Sequence, residues 1–547
     1  MYKIFKLLEQ LFKRSFAKSE ESGSSDDKGA PSSAATDPKN VKSKVLESFS
    51  NYFNQKNIKR LFLNLFKVLR FFESRVEDRD KLKKFSKPIF VKFVPLVESF
   101  FIIYKLLCDQ DYLNAIHPPA TEEPVATSGV KLKTISSYQD DLDNQSAMET
   151  ISIYTNMSEM EVEKQSDDKL QKKNASESTI RDIYKAVTHS NRNILNYFMN
   201  STPKLANSPL NIIIRLSPGI VHFDLKRKYF LQFLSQLKSS YALRVDVQRE
   251  NVFQDSYMQL LSKSSTQMRG KLHVKFSGEE GEDAGGVQRE WYQTLSHEIF
   301  NPNYALFIPA SHGYAYQPSV LSGVNIDHLN YFRFVGKIVG KALFDGSLLD
   351  VHFTRSFYKH MTGAHLHYSD FEDYDPDYYR TLKWIIENDV NDLDMDFTSQ
   401  QEIFGKNKLV ELKPNGKNLT VDNENKQEYI RLITELKMTE EIKDQIGAFL
   451  DGLHCVIPFE ILKIFDPKEL ELLISGLPEI DLVNLQENTE YVNYSKDSPT
   501  IRYFWEVLNS FDEQTKAGFL QFVTGTSKVP LEGFGPLKGI GGNVQKF

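Results

Sequence analysis

The stretch Leu272–Trp291, LHVKFSGEEGEDAGGVQREW, decides the fold of the region around it. It begins with apolar residues at every second position, Leu272, Val274 and Phe276, which is the pattern of a strand with one buried face. An acidic, glycine-rich turn follows, and after Gly286 the apolar residues recur as on one side of a helix. The helix residues with this spacing are Val287, Trp291, Leu295 and Ile299. The stretch therefore predicts a strand, a turn that glycine permits, and a helix.

A phosphate-binding loop is the alternative interpretation of this turn. The turn lacks the Gly-Lys-Ser/Thr ending that such loops use to hold phosphate. It carries four acidic residues instead, which would repel phosphate at the start of the helix. They are Glu279, Glu280, Glu282 and Asp283. The charge of the turn therefore disfavours nucleotide binding.

The bulk composition limits the class of protein. The 547 residues are enough for about two to four domains of ordinary size. The formal charge of -6 argues against a general nucleic-acid binder. The two cysteines, Cys108 and Cys455, cannot build a disulfide framework or a cysteine zinc site, which favours a cytosolic or nuclear location. The N-terminus does not resemble a signal peptide, and the apolar stretch Ile89–Cys108 is interrupted by charges and proline, so no membrane span is expected.

Four segments precede the part of the chain that is dense in motifs. Residues 1–44 are predicted to be a flexible arm, because the stretch Ala17–Val41 is rich in Ser, Asp, Gly and Ala. Residues 45–116 carry Phe and Leu at helical spacing and are predicted to be a helical segment. Residues 117–179 form a polar, acidic and serine-rich stretch, as expected of a disordered linker. Residues 180–250 are predicted to be a helical segment that braces the next domain, with one helix at Phe223–Leu237.

Several short motifs follow in a fixed order. The acidic turn continues into Asp-Ala-Gly-Gly at Asp283–Gly286 and Arg-Glu-Trp at Arg289–Trp291. The later blocks are FRFVGKIVGKALFDG (Phe332–Gly346), FTRSFYKH (Phe353–His360), LKPNG (Leu412–Gly416), ELELLISG (Glu469–Gly476) and FLQFVTGTSKVP (Phe519–Pro530). Together they resemble the HECT family of ubiquitin-protein ligases over roughly the last three hundred residues. With FDLKRKYF (Phe223–Phe230) upstream, the resemblance is closest to the very large Mule/Tom-type ligases.

The resemblance implies a bilobal α+β domain. Its N-lobe, residues 251–490, is expected to be mostly helical with small β elements. A small subdomain between Asp375 and Phe465 is expected to receive a ubiquitin-conjugating enzyme. A hinge at residues 491–499 would lead to an incomplete C-lobe at residues 500–547.

The start of the C-lobe can also be predicted from periodicity. A new helix is expected with Ile501, Phe504, Trp505 and Leu508 on one face, and Asp512 is the expected cap of the helix that follows.

No catalytic residue is assigned within this chain. In the family, the nucleophilic cysteine lies in a loop past the FLQFVTGTSKVP block, and this loop is expected beyond Phe547. Cys455 lies beside His454 and could form a thiolate in principle, but adjacent residues point to different faces of a helix. We therefore interpret Cys455 as a small buried apolar residue, and Cys108 is a weaker candidate still. No cofactor-binding or metal residue is assigned either.

Three further features can be interpreted from their residues. In Phe332–Gly346, the apolar residues are expected on one face of a core helix, with Lys337 and Lys341 on another. The acidic stretch Asn388–Phe397 could ligate a metal, but a solvated loop is the favoured interpretation. LKPNG predicts a turn, followed by a short strand at Leu419–Val421.

The functional hypothesis is a HECT-type ubiquitin-protein ligase whose acceptor cysteine is absent from this chain, as expected of a truncated gene model or a fragment. Such an enzyme accepts ubiquitin from a conjugating enzyme as a cysteine thioester and transfers it to a substrate lysine. The alternative is a non-catalytic module that binds a conjugating enzyme, and a decayed copy is a third option. The expected partners are the conjugating enzyme, ubiquitin and protein substrates, without nucleic acid, membrane or cofactor.

Overall fold

The computed structural model describes residues 187–534 together with Leu69 and Val97. Within that range it leaves out residues 209, 280–285, 312, 314, 404–405, 478–479, 525–526, 530 and 532. The predicted arm, N-terminal helical segment and linker therefore lie outside the described residues, apart from these two positions. The chain divides into two compact units, Met1–Leu225 and Lys226–Phe547.

The described part of the first unit is helical. It contains α1 (Arg192–Asn200) and α2 (Asn211–Leu216). Asn196 ties α1 to the chain that follows α2. Its Nδ2 donates to the carbonyl oxygen of Ile220 (2.8 Å), and its Oδ1 accepts from the backbone N–H of His222 (2.8 Å). Both ends of the buried amide are satisfied, so this loop is held firmly against the helix.

The described part of the second unit combines many helices with three short two-stranded sheets. In chain order, the elements are α3 (Phe223–Gln236), β1 (Ala242–Val247), α4 (Val252–Leu260), α5 (Ser265–Met268), β2 (Lys271–Phe276), α6 (Gly286–Ile299), β3 (Phe307–Pro309), β4 (Tyr316–Pro318), α7 (His328–Asp345), α8 (Arg355–Thr362), α9 (Phe371–Tyr374), α10 (Pro376–Glu387), β5 (Thr398–Ile403), β6 (Lys406–Glu411), α11 (Lys426–Met438), α12 (Lys443–Val456), α13 (Phe459–Leu462), α14 (Pro467–Ser475), α15 (Leu482–Glu487), α16 (Pro499–Ser510) and α17 (Glu513–Thr524). The predicted α+β class is confirmed. Among the described residues, no helix has the length and apolarity needed to cross a membrane.

The strand, turn and helix predicted from Leu272–Trp291 are present as β2 and α6. The segment predicted to be helical at residues 180–250 also contains a strand near its end, because β1 pairs with β2 in parallel. Both strands bury every second residue, and Val245 lies opposite Val274 in the register. The alternation in ALRVDV carries the strand signal, and long-range pairing with β2 stabilises it.

The core of the second unit is built around the crossing of α7 and α12. The two backbones approach closely because three positions at the crossing are glycines, which have no side chain. They are Gly336, Gly340 and Gly452. A Cβ atom at Gly336 would lie 2.0 Å from the carbonyl oxygen of Phe449, which no packed structure accommodates. Helix α7 therefore passes through the interior of the unit, and its apolar residues are buried almost all round.

Lys337 and Lys341, predicted on a different face of α7 from the apolar residues, are both buried. The Nζ of Lys337 donates to the carbonyl oxygens of Leu261 (2.5 Å) and Lys263 (2.7 Å), beyond the C-terminal end of α4. The Nζ of Lys341 donates to the carbonyl oxygen of Gly270 (2.7 Å). Each ammonium group thus satisfies main-chain carbonyls that would otherwise be unpaired in the interior.

A small subdomain with its own core extends from α9 to α11. The core residues are Phe371, Leu382, Ile385, Val390, Ile430, Ile433 and Met438. The turn predicted at LKPNG is present, with Asn415 in the left-handed region (φ 62°). A Cβ at Gly416 would lie 2.4 Å from the carbonyl oxygen of Phe397, so glycine is needed there. The strand predicted at Leu419–Val421 is reduced to an isolated bridge between Thr420 and Asp396.

Helices α15, α16 and α17 share a separate apolar core near the C-terminus. Its buried residues are Leu485, Trp505, Leu508, Leu520, Val529 and Phe534. The amphipathic helix predicted from Ile501 is confirmed as α16, although Phe504 is 37 % exposed. The predicted cap is confirmed, because the Oδ1 of Asp512 accepts from the backbone N–H of Thr515 (2.8 Å). This hydrogen bonding lowers the pKa of Asp512 below its usual value.

Candidate functional site

The outer surface of the small subdomain is the first candidate site. Helix α10 buries Leu382 and Ile385 and turns Trp384 outward, where its side chain is 48 % exposed. Other large apolar side chains of the subdomain are also exposed, namely Leu393, Leu409 and Leu419. Exposed aromatic and aliphatic side chains on a folded domain are a feature of docking surfaces. The sequence analysis did not single out Trp384, although a tryptophan outside the buried stripe of α10 was a usable signal.

We call the part of the second unit around the crossing of α7 and α12 the large subdomain. Polar contacts at both ends of the small subdomain fix it to α8 of the large subdomain. At its start, the carboxylate of Asp370 is almost fully buried and pairs with the Nζ of Lys359 (2.7 Å). At its end, the Nε2 of His360 lies 3.0 Å from the carbonyl oxygen of Met438, so Nε2–H must donate. Burial lowers the pKa of His360 below its ordinary value, which favours this neutral tautomer.

The compact small subdomain is shorter than the region expected to receive a conjugating enzyme. The expectation placed that region between Asp375 and Phe465, whereas the core described above ends at Met438. The next long helix, α12, belongs to the crossing with α7 in the large subdomain. The candidate docking body is therefore the stretch from Phe371 to Met438.

The surroundings of Cys455 are those of a structural cysteine. It is half-buried in α12, and its Sγ lies 3.5 Å from the Oγ of Ser265. The neighbouring His454 points elsewhere, against the ring of Phe459 (5.1 Å between centroids). Its buried Nε2 has no hydrogen-bond partner among the residues that the structure describes. The two side chains do not form a cysteine–histidine pair, and Cys108 lies outside the described residues.

Glu279, at the start of the acidic turn, pairs with an arginine that sequence reasoning missed. The guanidinium of Arg249 forms ion pairs with Glu279 and with Glu290 (2.7 Å) and lies 4.5 Å above the ring of Phe276. The hydrogen bond from Arg249 lowers the pKa of Glu279. These partners are 30 and 41 residues away along the chain, so no local pattern could indicate the cluster.

The acidic stretch Asn388–Phe397 holds its carboxylates in local hydrogen bonds. The Oδ1 of Asp389 accepts from the backbone N–H of Asn391 (3.0 Å) and from the Nδ2 of Asn423 (2.7 Å). These hydrogen bonds lower the pKa of Asp389 below its ordinary value. Over the described part of the chain, no group of three or more His, Cys, Asp or Glu residues is placed to hold a metal ion.

Comparison with protein families and individual proteins identifies the architecture. Residues 293–545 match the model of the HECT domain, which is described as a ubiquitin-transferase domain. The chain carries a HECT domain. The HECT family predicted from the motif blocks is therefore confirmed.

Individual relatives place this HECT domain among the Mule/Tom-type ligases, as predicted. The chain is 45% identical over 379 residues to the E3 ubiquitin-protein ligase TOM1-like of Neurospora crassa, covering 68% of this chain and 9% of the relative. It is 48% identical over 362 residues to UPL2 of Arabidopsis thaliana, covering 64% and 10%. It is 47% identical over 371 residues to HUWE1 of Mus musculus, covering 66% and 8%. The chain thus spans a tenth or less of the length of these three relatives.

Proposed function

We propose that this HECT domain takes part in ubiquitin transfer from a conjugating enzyme to lysine residues of protein substrates. The match at residues 293–545 and the relatives named as E3 ubiquitin-protein ligases support this proposal. In such a transfer, a cysteine thiolate attacks the thioester carbonyl of the charged conjugating enzyme, whose own cysteine leaves as thiolate. The amine of a substrate lysine then attacks the new thioester and releases the ligase cysteine.

The small subdomain from Phe371 to Met438 is proposed as the docking body for the conjugating enzyme. The observation that carries this proposal is the 48 % exposed side chain of Trp384 on the outer face of α10. A half-exposed tryptophan on a rigid helix can bury a large area against a partner at little cost in conformational entropy. The contacts of Asp370 and Met438 with α8 hold this surface in a fixed orientation relative to the large subdomain.

Within the 547 residues, we propose that no cysteine accepts ubiquitin. Cys455 is half-buried in α12, next to Ser265, and His454 is not positioned to activate it. This setting favours the second candidate function, in which these residues bind a conjugating enzyme without accepting its ubiquitin. We further propose that the chain acts in the cytoplasm or nucleus, because its two cysteines do not form a disulfide framework.

The test is to incubate the purified 547-residue chain with conjugating enzyme charged with ubiquitin. We expect a stable complex by light scattering and no reductant-sensitive ubiquitin adduct on a non-reducing gel. Cys455→Ala should behave like the unchanged chain in both measurements. An adduct that disappears in Cys455→Ala would make that cysteine an acceptor and overturn the proposal for the chain. Absence of any complex would overturn the docking role.

A further inference from the structure

The outer face of the sheet formed by β1 and β2 carries a group of basic side chains. In the register of the two strands, Arg244 lies opposite His273, and Asp246 lies opposite Lys275. Lys271 is on the same face, at the start of β2, and all five residues are exposed. We call Arg244, Lys271, His273 and Lys275 the basic face.

The cations of the basic face are not neutralised by the folded chain. Within the part of the chain that the structure describes, Arg244, Lys271 and Lys275 form no ion pair. Arg249, which follows β1, is by contrast paired with two glutamates. Because Arg244 lies diagonally between the two lysines, the three cations repel one another across the strands. A bound anion would relieve this repulsion.

The sheet that carries the basic face is packed on its inner side alone. The inner side chains, such as Val245 and Val274, are buried, and the strands contact α4 and α6. Parallel strands are normally covered on both faces. Here every outward position of both strands is exposed. The basic face is therefore a rigid surface without a second layer.

The free edge of β1 is closed to an added strand near Asp246. The Oε1 of Gln259 accepts from the backbone N–H of Asp246 (3.1 Å), and its Nε2 donates to the carbonyl oxygen of the same residue (2.6 Å). The Oδ2 of Asp255 accepts from the backbone N–H of Gln248 (2.8 Å). These side chains occupy main-chain groups that another strand would need. A ligand would therefore bind across the face, through side-chain contacts.

The spacing of the basic face matches an extended peptide. Alternate residues of a strand are about 6.6 Å apart, so Lys271, His273 and Lys275 form a row of hydrogen-bond donors with this repeat. An extended peptide with carboxylates at every second residue has the same repeat, and three carboxylates can meet the row together. Arg244 lies beside the row and can bind a carboxylate with two parallel hydrogen bonds.

The charges next to the basic face favour a peptide over a nucleic acid. Asp246 lies opposite Lys275, and the acidic turn begins at Glu279, just after β2. These carboxylates repel the continuous phosphate charge of a nucleic acid, whereas a peptide can place neutral residues beside them. We propose that the basic face docks an extended acidic segment of a second protein, with carboxylates at alternate residues over Lys271 to Lys275.

The test measures binding of synthetic peptides to the full 547-residue chain. The alternating peptide is Gly-Thr-Glu-Thr-Glu-Thr-Glu-Thr-Gly, and the spaced peptide, Gly-Glu-Thr-Thr-Glu-Thr-Thr-Glu-Gly, has the same composition and charge. Both carry fluorescein, and anisotropy is measured at about 20 mM salt, where exposed ion pairs are screened least. The alternating peptide should bind saturably. The spaced peptide should bind at least about threefold more weakly, because it aligns fewer carboxylates with the row.

Charge reversal on the basic face gives the second measurement. Lys271→Glu/Lys275→Glu should weaken binding of the alternating peptide by at least about tenfold, because two attractive contacts become repulsive. The same variant should bind Gly-Thr-Lys-Thr-Lys-Thr-Lys-Thr-Gly more tightly than the unchanged chain does. The matched control is Lys417→Glu/Lys468→Glu, which changes the net charge equally at exposed residues outside the sheet. It should keep the affinity of the unchanged chain, and circular dichroism checks that each variant is folded.

Three results would overturn the docking surface. The first is an alternating peptide that does not bind, or that loses equal affinity in the two double variants. The second is equal affinity for the alternating and spaced peptides. The third is a single-stranded oligonucleotide that binds as tightly as the alternating peptide and is released by Lys271→Glu/Lys275→Glu. No reagent contains ubiquitin or a conjugating enzyme, so the outcome is independent of the proposed function.

Discussion

A Cβ atom on Gly452 would lie 1.9 Å from the carbonyl oxygen of Arg333, so α12 and α7 cross with their backbones in contact. The same position would also be 2.9 Å from the backbone nitrogen of Lys337. Neither neighbour is a flexible side-chain end, and relief would require the helices to separate. The crossing at the centre of the large subdomain therefore requires glycine at position 452.

Gly452→Ala is expected to lower the free energy of unfolding by about 3 kcal/mol or more, because overpacking here moves main chain and not only side chains. Urea denaturation followed by circular dichroism measures the change. Gly447→Ala is the matched control on the same helix, because nothing lies within 4 Å of its added Cβ. It should be neutral or stabilise by up to about 1 kcal/mol through helix propensity. Equal effects of the two substitutions would contradict the close crossing.

The buried pair of Lys341 and Asp345 provides the second prediction. Their Nζ and Oδ1 atoms are 2.7 Å apart, and Asp345 also accepts from the hydroxyl of Tyr292 (2.9 Å). Burial lowers the pKa of Lys341 and raises that of Asp345, and each charge opposes the shift of the other. Lys341→Met should therefore lower the free energy of unfolding by about 3 to 5 kcal/mol, because it leaves a buried carboxylate without its cation.

A double variant and a surface control distinguish charge from packing. Lys341→Met/Asp345→Leu should be less destabilised than Lys341→Met alone, because no unpaired charge remains. Lys383→Met removes an exposed partner of Glu387 on α10 and should change stability by about 0.5 kcal/mol or less. The prediction fails if chemical denaturation gives the double variant the larger loss.

The third prediction concerns pH and His360. Because burial lowers its pKa in the folded protein, the unfolded chain takes up the proton first as pH falls. The contribution of His360 to the free energy of unfolding should be complete above about pH 6.5. It should be lost as the pH falls from there towards the lower pKa that His360 has in the folded protein. His360→Gln keeps a donor for Met438 but does not titrate, so its urea midpoint should fall less between pH 7.5 and about pH 5.5.

His273→Gln is the control for this experiment, because His273 lies on the exposed face of β2. Its urea midpoint should follow the pH dependence of the unchanged chain. An identical pH dependence in His360→Gln and the unchanged chain would show that the contact with Met438 does not couple folding to protonation.

The fourth prediction concerns docking at Trp384. Trp384→Ala should weaken binding of a conjugating enzyme by at least about tenfold, because truncating a central aromatic anchor costs about 2 kcal/mol or more. Calorimetric titration of the variant measures the change. Met258→Ala is the control, since Met258 is an exposed apolar residue on α4, outside the small subdomain. Equal affinities for the two variants would remove Trp384 from the docking surface.

The local spacing of apolar residues was sufficient to predict several elements of this fold. The alternation at Leu272, Val274 and Phe276 predicted β2, because burying one face of a strand requires this period. The spacing from Ile501 to Leu508 predicted α16, and the side chain of Asp512 caps α17 as expected. These features depend on residues a few positions apart, so a single stretch contains all the information they need.

The sequence pattern was not sufficient where a distant partner determines the environment of a residue. The helical spacing of Lys337 and Lys341 did not indicate that both side chains are buried. In the folded chain they meet carbonyl oxygens 71 to 77 residues away, which satisfy them inside the core. Similarly, the strand β1 lies within the segment predicted to be helical, because its partner β2 follows much later in the chain.

The sequence by itself determined the HECT family, the α+β class and the elements at its motifs, such as β2, α6 and α16, because motif order and periodicity are properties of the linear chain. Tertiary structure alone decided which charges are buried and where the small subdomain ends. The physical reason is that burial and hydrogen bonding depend on groups brought together across the fold, such as Gln293 and Ser527, which are 234 residues apart.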